Sequence, residues 1–241
     1  ESVNFTIKPK IDGVFPAGGE QLAVSTVYPI QWAPHGSVGS VNISYSNDSG
    51  LNWIPIANNT TGTTRNWTVP DDMNVNKTKV KIISEVWPDA IGISAGNASI
   101  IGYINVTQPT TGQNVFAASN NTPIRWNYNG SKMNRVNIEY WTTDSGNWTS
   151  IQNNVSVSSG NSYLWPLVPS VKSISAKVRV YDVNNTNTLS ESANFQIVGS
   201  LKLNSPNGAE EWRVGSSKFI TWSQAAIGSG LVNINYSTTN G

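Results

Sequence analysis

The sequence predicts an all-β chain of tandem immunoglobulin-like β-sandwich repeats, each about 95 residues long, arranged as an extended rod. Three observations predict it. Tryptophan recurs at Trp32, Trp126 and Trp222, 94 and 96 residues apart, each inside an Ile-x-Trp triplet. Short segments alternate apolar and polar residues with period two, the mark of a half-buried strand. Clusters of Gly, Asn, Asp and Pro, which favour turns, interrupt the chain about every 8–12 residues.

The anchors of the repeat run in order. Gly18, Gly112 and Gly208 precede the three tryptophans, followed by Leu22, Phe116 and Trp212, then Ile30, Ile124 and Ile220. After each tryptophan comes Val41-Asn-Ile43-Ser-Tyr45, Val136-Asn-Ile138-Glu-Tyr140 or Val232-Asn-Ile234-Asn-Tyr236. Trp53 matches Trp148, and Trp67 matches Trp165. These alignments predict strands in the first repeat near 5–11, 22–24, 28–32, 41–46, 53–56, 65–69, 79–84 and 98–104. The repeated tryptophans Trp32, Trp53, Trp67, Trp126, Trp148, Trp165 and Trp222 are expected in the cores, because each can bury roughly 200 Å². An odd number of strands brings the chain in at one pole and out near the other, so short joins predict a stiff series of beads.

The predicted boundaries follow from a second match. Glu1-Ser-Val-Asn-Phe-Thr-Ile7 resembles Glu191-Ser-Ala-Asn-Phe-Gln-Ile197, which closes the second repeat. Residues 1–7 are therefore expected to be the last strand of a preceding repeat, with 8–102 the first repeat, 103–199 the second and 200–241 the first part of a third. Continuation in a longer array would account for this, and so would self-association in which another chain supplies the missing strands.

Composition narrows the chemistry. Charged residues are only 12% of the chain, whereas Asn, Ser and Thr number 31, 30 and 20. The formal net charge of +1 marks no nucleic-acid partner. Without cysteine there is no thiolate metal site, redox pair or catalytic thiol. No apolar run is long enough for a membrane-spanning helix.

Ser205-Pro-Asn-Gly-Ala-Glu-Glu-Trp-Arg-Val-Gly215, Ile220-Thr-Trp222 and Val232-Asn-Ile-Asn-Tyr-Ser237 together resemble the Kre9/Knh-like family of Ser-Thr-rich, surface-anchored domains. The first repeat carries the same pattern as Pro16-Ala-Gly-Gly-Glu20, Ile30-Gln-Trp32, Tyr45-Ser46 and Trp67-Thr-Val-Pro70. The second departs at its opening, Pro109-Thr-Thr-Gly-Gln113. The resemblance implies cell-surface architecture and supplies no catalytic motif.

Fifteen Asn-x-Ser/Thr triplets make N-glycosylation the main candidate modification: Asn4, Asn42, Asn47, Asn58, Asn59, Asn66, Asn76, Asn97, Asn105, Asn120, Asn129, Asn147, Asn154, Asn184 and Asn235. A sugar coat would supply the solubility that few charges leave wanting. Solvated strands rich in Asn and Ser also generate such triplets by composition alone. Ser46-Asn-Asp48-Ser-Gly50-Leu-Asn-Trp53 fits the Asp-box turn, and Thr142-Thr-Asp144-Ser-Gly146-Asn-Trp148 is a shorter version. Both read as hairpin devices.

His35 is the single histidine and reads as a loop residue. Asp71-Asp72 is a carboxylate pair in a turn, without the spacing of a calcium loop. No catalytic, cofactor-binding or metal-binding residue is therefore assigned, no cofactor is implied, and the chain is not expected to be an enzyme. Trp87 and Trp141 do not repeat and are candidate surface contacts, for instance with surface glycans.

The expected function is that of an extracellular, cell-surface glycoprotein forming a stalk, sheath or filament. An adhesin or carbohydrate-binding module is the alternative, and an accessory region of a larger surface hydrolase the next.

Overall fold

The computed structural model describes residues 5–157, 160–228 and 231–238, and every described regular element is a strand. The candidate sequon Asn4 lies outside the described residues. The first sandwich contains β1 (Lys10–Phe15), β2 (Gln21–Ala23), β3 (Val27–His35), β4 (Val41–Ser46), β5 (Ile54–Thr60), β6 (Thr64–Thr68), β7 (Asn74–Ser84), β8 (Ile91–Ile93) and β9 (Ala98–Ile101). One sheet has the order β1-β3-β6. The facing sheet runs β2-β9-β7-β4-β5, with β8 also on β7. Every pairing is antiparallel except β2 with β9.

The nine segments are seven passages of chain. β1 and β2 are one passage that changes sheets at Pro16–Gly19, and β8 and β9 are another, interrupted at Ser94–Asn97. That split first strand and the parallel β2–β9 contact are immunoglobulin-like features.

The second sandwich repeats the plan with β10 (Tyr103–Gln108), β11 (Asn114–Phe116), β12 (Thr122–Asn129), β13 (Arg135–Thr142), β14 (Thr149–Ser156), β15 (Ser162–Trp165), β16 (Ser173–Asp182), β17 (Leu189–Glu191) and β18 (Phe195–Val198). Its sheets run β10-β12-β15 and β11-β18-β16-β13-β14. A third unit contributes β19 (Ser200–Ser205) paired with β20 (Thr221–Ala225). Gly102 and Gly199 are the single residues between one unit's last strand and the next unit's first.

Alternation places the cores. Val41, Ile43 and Tyr45 of β4 point inward against Val80 and Ile82 of β7, beneath Ile30 and Trp32 of β3. Ile124 and Trp126 of β12 meet Val136, Ile138, Val178 and Val180 in the same way. Tyr45 tilts onto Trp67 at 5.1 Å between ring centres, and Tyr140 onto Trp165 at 5.2 Å.

The opening motif has a local cause. The Glu20 carboxylate accepts the N–H groups of Ala17 and Gly18, and Glu210 does the same for Asn207 and Gly208. Gln113 substitutes one amide oxygen for the carboxylate, accepting from Thr110. Gly18 is obligatory here: a Cβ would come within 2.6 Å of the Gly96 backbone.

Four expectations are corrected. The strand expected at 5–11 starts only at Lys10, and Phe5 and Ile7 lie outside any sheet, 84% and 82% exposed. Trp53 and Trp148 are half-buried on the outer sheet face rather than in the cores, each lying over a cation. They stand just before the strand that pairs with the Val-x-Ile-x-Tyr strand, where alternation directs them outward. Trp222 is 37% exposed, because among the described residues no second sheet covers the β19–β20 ribbon. Val232–Tyr236 forms no strand. Its counterpart β4 is held between β5 and β7, and no described segment flanks 232–236 in that way.

Candidate interaction surfaces

The outer face of the large sheet carries a cation over each repeated tryptophan. Lys81 lies 4.3 Å from the Trp53 ring centre, and Arg179, its counterpart, 4.4 Å from Trp148. Arg179 is also clamped by Glu139, whose other carboxylate oxygen accepts the Tyr181 hydroxyl at 3.1 Å. These side chains brace one another across strands, so the Trp-cation pairs stiffen the sheet.

The Asp-box of the first repeat is a closed turn. Ser46 Oγ accepts the N–H of Gly50, and Asp48 accepts the backbone and side-chain N–H of Asn52. The Asn52 and Ser46 donors hold the Asp48 carboxyl down at about 2.

The Asn of the Val-Asn-Ile strand has a role that its sequence context does not announce. Asn42 Oδ1 accepts the N–H of Asn59 at 3.2 Å, and Asn137 Oδ1 accepts that of Asn154 at 2.9 Å. Asn59 and Asn154 have φ of 50° and 60° and sit where the β4–β5 and β13–β14 registers shift. The side-chain amide fills a ladder position that the bulge leaves open.

The turn after β6 joins the sandwiches. Both Asp71 carboxylate oxygens accept the N–H of Ser131, at 2.8 and 3.0 Å. Lys132 Nζ donates to the Met73 carbonyl at 2.6 Å. Met73 packs against the cores of both sandwiches. Its neighbour Asp72 accepts from Asn47 Nδ2 and the Tyr45 hydroxyl. Burial first, and then the Asp72 charge, push Tyr45 up to about 12. The two carboxylates thus act separately, one in the joint and one within the first sandwich.

At the opposite pole of the first sandwich, Ile7–Pro9, His35–Ser37, Gly39, Val86 and Trp87 line an open cleft of about 610 Å³. Trp87 is half-buried there. His35 Nε2 lies 2.9 Å from the Asp12 carboxylate, which also pairs with Lys10; hydrogen bonds from Lys10, then His35, lower the Asp12 carboxyl. Trp141 is half-buried on β13 opposite Lys177. The structure therefore does not bring Trp87 and Trp141 together. Among the described residues, no three His, Asp or Glu side chains cluster closely enough to hold a metal ion.

Asn58, Asn59, Asn66, Asn76, Asn105, Asn120, Asn129, Asn147, Asn154, Asn184 and Asn235 are exposed, and Asn42, Asn47 and Asn97 are half-buried. In four of the triplets, those of Asn58, Asn76, Asn97 and Asn120, the hydroxyl residue is buried: Thr60, Thr78, Ser99 and Thr122.

No family model and no curated protein matches the chain. Among solved structures, extracellular domains 3–5 of Drosophila OTK align at TM-score 0.26 and 11% identity, over 86% of this chain and 72% of that one. The N-terminal eight Ig domains of the Down Syndrome Cell Adhesion Molecule align at TM-score 0.25 and 12% identity, over 83% of this chain and 28% of that one. The two alignments are distant, and what this chain does is argued below from its own residues.

Proposed function

We propose that this chain serves as a structural segment of an extracellular, glycosylated cell-surface protein. Kre9/Knh-like sandwich repeats run end to end in it as a stiff stalk, sheath or filament. The joint between the first two sandwiches carries this reading. One linker residue, the bifurcated hydrogen bond that the Ser131 N–H donates to Asp71, the Lys132–Met73 contact and a shared methionine leave little hinge freedom at Gly102. The mechanism is mechanical: ladder bonds and tryptophan-filled cores resist extension, and the joints pass load between sandwiches. Eleven exposed sequons and a charged fraction of 12% support a sugar-covered surface.

The test is localisation combined with glycopeptide mass spectrometry. Antibodies to this chain should decorate fibres or stalks on unpermeabilised cells, and peptides bearing the exposed sequons should carry sugar-spaced masses. Cytoplasmic labelling with uniformly bare peptides would contradict the reading.

A further inference from the structure

The cleft at the free pole of the first sandwich has a structural counterpart inside the molecule. Phe15 pairs with Gln31 and Gln108 with Arg125, the residues just before Trp32 and Trp126, which aligns β1 with β10, so Pro9 corresponds to Gly102 and Lys10 to Tyr103. Lys10 pairs with His35, and Tyr103 pairs with Asn129. Gly36 and Ser37 therefore stand where Gly130 and Ser131 stand.

The local geometry agrees. A Cβ on Gly36 would meet Pro9 at 3.4 Å, and one on Gly130 would meet Gly102 at 3.2 Å. At Gly130 the Met73 sulfur of the preceding sandwich also lies within 2.8 Å of that position, and Asp71 takes the Ser131 N–H. Among the described residues, no second neighbour stands at Gly36, the cleft opens, and no acceptor takes the Ser37 N–H.

A second, independent observation concerns residues 5–7. Phe5-Thr-Ile7 carries the sequence pattern of Phe195-Gln-Ile197 in β18. Phe195 and Ile197 are fully buried, whereas Phe5 and Ile7 are exposed and unpaired.

We infer that the cleft lined by Pro9, Gly36, Ser37, Val86 and Trp87 is a docking socket for another sandwich repeat of this kind, lying N-terminal in the same polypeptide. That repeat takes Phe5 and Ile7 into its core as its last strand. Its turn after the sixth strand enters the cleft, seating an apolar side chain over Gly36 and an acceptor on the Ser37 N–H. The inference rests on the end-to-end reading above and names the partner and contacts at one more joint.

The test is an extended chain. Residues 103–190 are placed ahead of Glu1, so that Glu1–Ile7 occupies the place of Glu191–Ile197, and S170D and K172M give the added turn the Asp71 and Met73 chemistry. Amide hydrogen exchange is compared with that of the 241-residue chain. The expected result is that Phe5 and Ile7 become protected and the Ser37 amide slows about tenfold or more. V86E, in the exposed cleft wall, should return the Ser37 rate toward that of the unextended chain while Phe5 and Ile7 stay protected.

Protection of Phe5 and Ile7 with an unchanged Ser37 rate overturns the socket. Unprotected Phe5 and Ile7 overturn the assignment of the last strand. Concentration-dependent protection of Ser37 in the unextended chain, released by V86E, would make the occupant a second copy and overturn the assignment to the same polypeptide. Stiffness at Gly102 in the unextended chain tests the rod separately, so the two failures are distinguishable.

Discussion

Met73 of the first sandwich occupies the space that a side chain on Gly130 of the second would need: a Cβ there would lie 2.8 Å from the Met73 sulfur. Gly130 also has a φ of 133°, in the region that disfavours other residues. The joint is thus a packed contact in which a glycine makes room for a neighbour's side chain.

Met73→Ala should leave both sandwiches folded but free their joint. NMR relaxation should give one overall tumbling time for wild type and two shorter ones for the variant. Cavity formation at this partly buried methionine should cost about 2 kcal/mol or less. A single unchanged tumbling time in Met73→Ala would show that the methionine does not fix the joint.

The tryptophans should separate into two energetic classes. Trp126 is buried at 1% exposure, so Trp126→Ala should cost about 3–5 kcal/mol in urea denaturation. Trp148→Ala, which removes a half-buried ring from Arg179, should cost nearer ~1 kcal/mol. Equal losses would return Trp148 to the core.

That contrast shows what the sequence makes legible. Period-two patterning and the Ile-x-Trp and Val-x-Ile-x-Tyr anchors locate most strands of the first sandwich, since burial of alternate residues is what they encode. Recurrence does not distinguish a core tryptophan from one held in register with an outward cation, because Trp53 recurs as Trp148 just as the buried Trp67 recurs as Trp165. β8 escapes prediction because Ile91-Gly-Ile93 is short and places its glycine, rather than an apolar side chain, inward: a Cβ on Gly92 would reach Ile11 at 2.6 Å. The joint is illegible because Asp71 and Met73 look like ordinary turn residues until Ser131 and Gly130 are beside them.

Asp182 should make stability depend on pH. Burial raises its carboxyl above the ordinary 3.8, partly offset by the Asn184 N–H it accepts. Between the unfolded and folded values the unfolded chain binds fewer protons, so this group's contribution to stability falls as pH rises through the window and then levels off. Ser84 holds the equivalent position in the first sandwich. D182S should therefore gain stability relative to wild type as pH rises from about 3.8 upward, read as urea midpoints at matched pH. A constant difference across pH would contradict the assignment.

Asn42 separates a structural role from a sugar-bearing one. Asn42→Ala removes the acceptor for the Asn59 N–H and should cost about 1 kcal/mol. Asn42→Asp keeps an acceptor oxygen while abolishing the sequon, so it should retain most of that stability. Asn137→Ala, at a position outside any sequon, should lose about as much as Asn42→Ala. A full loss in Asn42→Asp would contradict the hydrogen-bond account.

The absence of cysteine permits the most direct test of the central claim, that successive sandwiches are rigidly joined. Spin labels on cysteines introduced at exposed Thr64 of β6 and exposed Asn127 of β12 report the distance between the sandwiches by double electron–electron resonance. A single narrow distance distribution that broadens in Met73→Ala is the predicted result. A broad distribution already present in the otherwise unaltered chain would show a flexible joint and contradict the account.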